Sequence, residues 1–323
     1  MSTTIEKLLL PWQNHYNRRF KQTSFDIIEK EDDVHQKIYL HSDLVRDKNH
    51  PRLFYHGKKT ADVVVLTHGL SDSPWYVESI AKRFFADGAN VLLPLLPAHG
   101  LKDPDVAFED LALDGKWREE IDVAVKVAAN FGQRISIGGF STGGALGYNK
   151  ILRTPTTING GLFLFAAALS IGKVHDRLGK FGFVQKMVRN RDGKIIGIGQ
   201  DPYKYPIFPK FGVTELAQII TQNQALQIGK KITQPVFIAH SVHDESADFQ
   251  GIINLLTNHV EVGEAFLISQ NVRHAETPLE MDVPMDYTQK ALPEYEPKAN
   301  PQFEDMMAAM LRFFEKKIRT NGE

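Results

Sequence analysis

Residues 134–152 read RISIGGFSTGGALGYNKIL, and at their centre Gly139-Phe140-Ser141-Thr142-Gly143 fits the pattern Gly-x-Ser-x-Gly. Ile135 and Ile137 alternate as in a short buried strand, and the small residues from Gly143 to Ala145 open a helix, so the stretch predicts a strand, a sharp turn and a helix. A turn that sends a strand straight into a helix forces its central residue into a strained backbone, and bulky side chains two positions to either side would collide with it. Glycines at 139 and 143 remove those collisions. Such an elbow lifts Ser141 Oγ above the sheet and leaves the Thr142 N–H, at the helix start, free to point at a developing anion. The pattern alone is short enough to arise by chance among 24 glycines. The strand before it and the helix after it favour a nucleophile.

Composition narrows the classes. A chain of 323 residues holds one large domain with an insertion or two ordinary domains, and 42% hydrophobic with 24% charged residues is ordinary for a globular protein. A net charge of −1 argues against a general nucleic-acid binder, which neutralises phosphates with a large basic excess. Without cysteine there is no disulfide, thiolate zinc site or cysteine nucleophile. The N-terminal run Leu8-Leu9-Leu10 is too short for a signal-peptide core, and the apolar run from Leu162 to Leu169 is far below the roughly 20 residues that span a bilayer. These features make a cytoplasmic, soluble protein the expectation.

Outward from the elbow, strand and helix patterns alternate. Ile5, Leu8, Leu9, Trp12, Tyr16 and Phe20 share an approximately helical stripe that should pack on the body, with Pro11 expected to break or restart the helix. Strand-like segments at Phe25–Ile28 and Gln36–Leu40 suggest a hairpin across an acidic turn. Asp62–Thr67 (DVVVLT) reads as a strand buried on both faces. It ends in His68-Gly69-Leu70-Ser71-Asp72-Ser73-Pro74, where Pro74 suits the first position of a helix through Ile80, Phe84 and Phe85. The Leu70 N–H, leaving a central strand, is the candidate second oxyanion donor. Asn90–Leu96 is a further strand running into Pro97-Ala98-His99-Gly100, where His99 reads as a residue that structures the loop, ahead of one that contacts substrate. A helix over about 117–131 leads back to the elbow strand, and Gly161–Ala168 follows as another buried strand. The alternation implies a mostly parallel sheet with helices on both faces.

The regular pattern stops at 171–225, which we read as a cap inserted between core segments 1–170 and 226–323. Between 171 and 210 nine Lys or Arg stand against three Asp, which reads as a solvated lid face before it reads as an attractor for an anionic substrate or lipid headgroup. The alternation resumes with a strand at Pro235–His240, a helix over about 248–258 and a strand at Ala265–Ser269. Residues 278–301, with five prolines, read as a long irregular loop before a final amphipathic helix, 303–318.

A serine hydroxyl needs an adjacent base, and the base needs a group that fixes its tautomer and stabilises its cation. Asp244 and His274 follow predicted parallel strands, where an open α/β sheet builds its sites. Ser141, Asp244 and His274 also run in the chain order that this strand–turn–helix architecture uses. Glu245 and Asp248 compete for the acid post, and His240, His243 and His259 for the base. His274 alone follows the last strand. With Leu70 and Thr142 as oxyanion donors the set requires no metal or organic cofactor, and no glycine-rich phosphate loop or metal-ligand cluster occurs.

On His68-Gly69-Leu70 with Ser73-Pro74, the segment LPLLPAHG at 93–100, Gly139–Gly143, the His243-Asp244 loop and His274, the chain resembles the α/β-hydrolases over roughly residues 60–275. Within them it resembles bacterial carboxylesterases and monoacylglycerol lipases. The resemblance implies an α/β-hydrolase fold and a small-molecule ester substrate with a short or medium acyl chain, and a pocket shaped by 171–225. The charge balance argues against a nucleic-acid partner, and the N-terminal stripe and the basic stretch 171–210 leave at most a weak contact with a lipid surface. Two stretches depart from the family pattern: Glu245-Ser246-Ala247 replaces small apolar residues after the acid, and the loop 278–301 is long. Peptidase, thioesterase and non-catalytic binding roles on the same fold are the alternatives.

Overall fold

The computed structural model describes residues 4–19, 26–31, 36–170, 201–205, 210–242, 244, 247–268, 278–282 and 298–320. The expected strand DVVVLT lies within β4 (Thr60–Thr67), and its side chains alternate between two apolar layers. Val63 and Val65 face one cluster, while Val64 and Leu66 face the other, all four fully buried. A strand covered on both faces has no solvent side, so β-branched residues can fill every position.

Around β4 nine of the described strands form one large sheet. Its earlier members are β1 (Asp26–Glu31), β2 (Gln36–His41) and β3 (Arg52–Phe54); β5 (Asn90–Leu93), β6 (Gly132–Phe140), β7 (Leu162–Phe165), β8 (Val236–Ser241) and β9 (Gly263–Ile268) complete it. The order is β1-β2-β3-β5-β4-β6-β7-β8-β9. The first three strands enter antiparallel, so the expected hairpin is present, and every pair from β5/β4 to β8/β9 is parallel. In register, Val65 lies opposite Ile137 and Thr67 opposite Gly139, which ends β4 level with the elbow.

One face carries α1 (Thr4–Arg19), α4 (Leu113–Ala128), α5 (Thr142–Arg153) and α6 (Lys210–Leu226); the other carries α2 (Glu78–Ala86) and α8 (Phe303–Phe313). A short α3 (Asp105–Phe108) precedes α4, and α7 (Phe249–Asn258) joins β8 to β9. The described part of 171–225 falls in two places. Residues 201–205 lie over the loop after β4, whereas α6 packs on α4 and α5 through Leu216, Ile219 and Ile220. Of the long loop, the described ends pair as short strands β10 (Met281–Asp282) and β11 (Lys298–Ala299).

Two expectations are corrected. Pro11 neither breaks nor restarts its helix: α1 runs unbroken from Thr4 to Arg19 with Pro11 inside. Tertiary anchoring accounts for this. Ile5, Leu9, Trp12 and Tyr16 are buried, and the fully buried Glu120 accepts bonds from Trp12 Nε1 at 3.1 Å and Tyr16 OH at 2.9 Å. Pro74 does not open the next helix, which begins at Glu78. Residues 73–78 instead form successive tight turns, Tyr76 N–H to Ser73 O and Glu78 N–H to Trp75 O.

Candidate active site

At the end of β6 the backbone of Ser141 sits at φ 49°, ψ −110°, a left-handed conformation that costs a non-glycine residue energy. It is held there from three directions: the Ser141 N–H donates to Phe165 O, and Ser141 O accepts from the N–H groups of Ala145 and Ala168. Helix α5 starts at the next residue, so the Thr142 N–H is among the first-turn donors that lack an intrahelical acceptor. Ser141 is partly exposed, while Thr142 is fully buried.

The glycines are required for a reason somewhat different from the expected one. A Cβ at Gly143 would lie 2.1 Å from Thr67 O, and one at Gly139 would lie 2.3 Å from the same oxygen and 2.7 Å from Gly143 C. The nearest obstacles are therefore the end of β4 and the facing glycine. That closeness brings the loop after β4 against the elbow. The Phe140 ring occupies the space in which a Gly69 Cβ would sit, 2.8 Å away.

Leu70 lies in that loop, buried. The peptide plane carrying its N–H also carries Gly69 C=O, and two donors hold that oxygen: His68 Nδ1–H at 2.8 Å and Asp72 N–H at 3.4 Å. Because N–H and C=O of one peptide point oppositely, fixing the carbonyl fixes the direction of the Leu70 N–H. The other nitrogen of His68, Nε2, accepts from Leu96 N–H at 3.1 Å, which settles the tautomer and ties the loop to the chain after β5. Burial, and then the neighbouring His99, holds the His68 imidazole well below its ordinary pKa, so it stays neutral. His68 belongs to a motif visible in the sequence, but the sequence carries no signal of this role, which depends on a contact 28 residues away.

His99 is a loop-structuring residue. It is fully buried against His68, Phe108 and Trp117, bonds Pro97 O through Nδ1–H, and is lowered to about 4 by burial.

Asp244 follows β8, two strands from β6 and at the same C-terminal edge as Leu70 and Ser141, roughly 10 Å across the sheet. Its Oδ1 accepts from Ala247 N–H at 2.8 Å, and Oδ2 stands 3.7 Å from His240 Nε2. His240 is fully buried and bonds Ala247 O at 3.0 Å; burial lowers its pKa against the opposing pull of Asp244. Asp248 is otherwise engaged, as the N-cap of α7, where it accepts from Gln250 N–H at 2.9 Å. His259 caps the far end of the same helix, bonding Lys230 O. His243, Glu245 and His274 lie outside the described residues, as do 171–200 of the expected cap. Among the described residues no group of three His, Asp or Glu could hold a metal ion, and no helix is long and apolar enough to cross a membrane.

A model of the alpha/beta hydrolase family matches residues 64–195. Among solved structures the chain is similar to one described with the metagenome-derived lipolytic enzymes LipS and LipT (18% identity, TM-score 0.61, 84% of this chain and 99% of that one). It is also similar to a monoacylglycerol lipase from Paleococcus ferrophilus (13%, 0.56, 82% and 97%) and to a soluble variant of the monoglyceride lipase of Saccharomyces cerevisiae (12%, 0.57, 92% and 96%). No curated protein sequence matches the chain. A parallel sheet in this strand order, an elbow serine after β6 and the family match together make this chain an α/β-hydrolase in fold, resembling esterases and monoacylglycerol lipases.

Proposed function

We propose that the protein is a serine hydrolase that cleaves carboxylic esters of short or medium acyl chains, or of monoacylglycerol type, through an acyl-enzyme. The observation that carries this reading is the strained Ser141 backbone, pinned by three hydrogen bonds at the start of α5. A fold sustains such strain where position matters more than local energy. In the mechanism His274 takes the Ser141 proton as the hydroxyl attacks the ester carbonyl, and Asp244 orients the imidazole and stabilises its cation. The N–H groups of Leu70 and Thr142 receive the oxyanion, each contributing roughly 3 kcal/mol to lowering the barrier. The alcohol leaves with the proton from His274, and water then repeats the sequence on the acyl-enzyme. The expected insertion, 171–225, would supply the cap that shapes the acyl pocket.

The test is release of nitrophenol from p-nitrophenyl esters of increasing acyl length, with wild type beside Ser141→Ala. Turnover with a chain-length optimum, lost in the variant while its circular dichroism spectrum is unchanged, is the expected result. Labelling of Ser141 by a fluorophosphonate without ester turnover would keep the nucleophile and move the substrate to an amide or thioester. Neither turnover nor labelling would leave a ligand-binding protein.

A further inference from the structure

Residues 201–205, Asp-Pro-Tyr-Lys-Tyr, grip the loop that carries Leu70 at nearly every position. Tyr205 N–H donates to Ser71 O at 2.9 Å, immediately after Leu70, where the Ser71 backbone has φ 69°. Lys204 Nζ stands 3.5 Å from Asp72 Oδ1, with both side chains buried. Tyr203 stacks on Trp75 with ring centroids 4.2 Å apart, and Asp201 accepts from the Tyr76 hydroxyl. The segment is itself anchored from outside the loop. The Tyr205 hydroxyl accepts from Leu101 N–H at 2.8 Å and bonds Ala98 O, while Asn49 Nδ2 donates to Pro202 O.

We infer that Asp201–Tyr205 is a positioning element for the oxyanion donor, acting through Ser71 and Asp72 on the Gly69–Leu70 peptide. The inference rests on the reading of Leu70 as an oxyanion donor. The geometry supplies the path. Asp72, held by Lys204, donates its own N–H to Gly69 O, the oxygen that shares a peptide plane with the Leu70 N–H. Ser71, in a left-handed backbone that a non-glycine residue does not adopt cheaply, is held at its carbonyl by Tyr205. Released from both, the loop can relax by turning that peptide, which moves the donor away from the developing anion while leaving ground-state binding of the substrate largely intact. Such a change raises the barrier without weakening binding, and so appears in kcat rather than KM.

The experiment uses the full chain and a p-nitrophenyl ester that the wild type turns over. Removing Lys204 alone would take the cation from beside a buried Asp72 carboxylate and endanger the fold, so the informative variant is the pair Lys204→Met with Asp72→Asn, beside Lys204→Arg as the conservative rescue. The pair is expected to lower kcat by about tenfold or more, with KM within twofold. It should weaken an aryl boronic acid, which mimics the tetrahedral oxyanion, by a similar factor, while Lys204→Arg restores most of both. Wild-type kcat and boronate affinity in a folded pair variant would overturn the inference and leave the esterase reading standing. A loss confined to KM would overturn it in the same way. If the wild type itself neither turns over esters nor binds the boronate, the esterase reading falls and the inference falls with it.

Discussion

At the scale of single residues the site depends on how closely two backbones approach. Gly139 and Gly143 both face Thr67 O, and any side chain there must displace the end of β4. Gly143→Ala is therefore expected to cost roughly 2–3 kcal/mol in urea unfolding, at the upper end of overpacking effects, because the obstructing atom is backbone and cannot rotate away. The same displacement shifts Ser141 and the His68 loop together, so kcat should fall by more than the unfolded fraction explains. Unchanged unfolding with unchanged turnover would show that β4 and the elbow are not in contact. The pattern Gly-x-Ser-x-Gly announces the elbow because its residues are neighbours in sequence. The reason for the glycines was only half legible, since their obstacle is 72 to 76 residues away, and the tautomer of His68 was not legible for the same cause. Asp248 shows the reverse case: an Asp directly before an apolar helical stripe is a cap signal that could have separated it from Asp244 at once.

At the scale of elements, local preference and tertiary anchoring can disagree, and α1 shows which prevails. Pro11 removes one intrahelical hydrogen bond and crowds the preceding turn. The helix nonetheless continues, because Trp12, His15 and Tyr16 all reach the carboxylate of Glu120, the histidine at 2.9 Å. Pro11→Ala, at an exposed position, should therefore stabilise the protein by up to about 3 kcal/mol, read as a rise in melting temperature. A fall would mean that the helix needs the bend proline imposes. The central strands were legible because both their faces are apolar; β3, three residues long and containing the buried Arg52, offers no period to read. Helix α6 presented a different difficulty. It is core-packed, yet it follows a stretch whose composition breaks the alternation, and sequence alone does not tell where an insertion hands back to the core.

At the scale of the whole molecule, four of the buried histidines among the described residues bear on how stability responds to acid. Burial lowers His50 and His99 to about 4, places His68 well below the ordinary imidazole value and lowers His240. All four are therefore neutral in the folded protein at pH values where the unfolded chain, with imidazoles near 6.5, already takes up protons. The sign follows from linkage: the unfolded state binds more protons, so stability is full above about pH 6.5 and drains as pH falls toward 4. Below about 4, His50 and His99 protonate in the folded state as well and their drain ends. Burial pushes the carboxylates Glu78 and Asp122 up, but Arg52 with Lys37 and Arg153 with Lys150 respectively outweigh it and hold them low, so their contribution is lost only at still lower pH. Among the described residues the window between about pH 6.5 and 4.5 thus belongs mainly to the histidines. His99 alone should account for about 2–3 kcal/mol across it. His68 and His99 face each other at 5.0 Å beside the loop that carries Leu70, so that loop is where acid should loosen the fold first. Urea unfolding at about pH 7.5 and 4.5, wild type beside His99→Gln, measures the slope. The variant should lose about 2–3 kcal/mol less than wild type on acidification, whatever its absolute stability. Equal losses in the two proteins would mean that His99 takes up its proton in the folded state without resistance, and that its burial among His68, Phe108 and Trp117 does not hold it neutral.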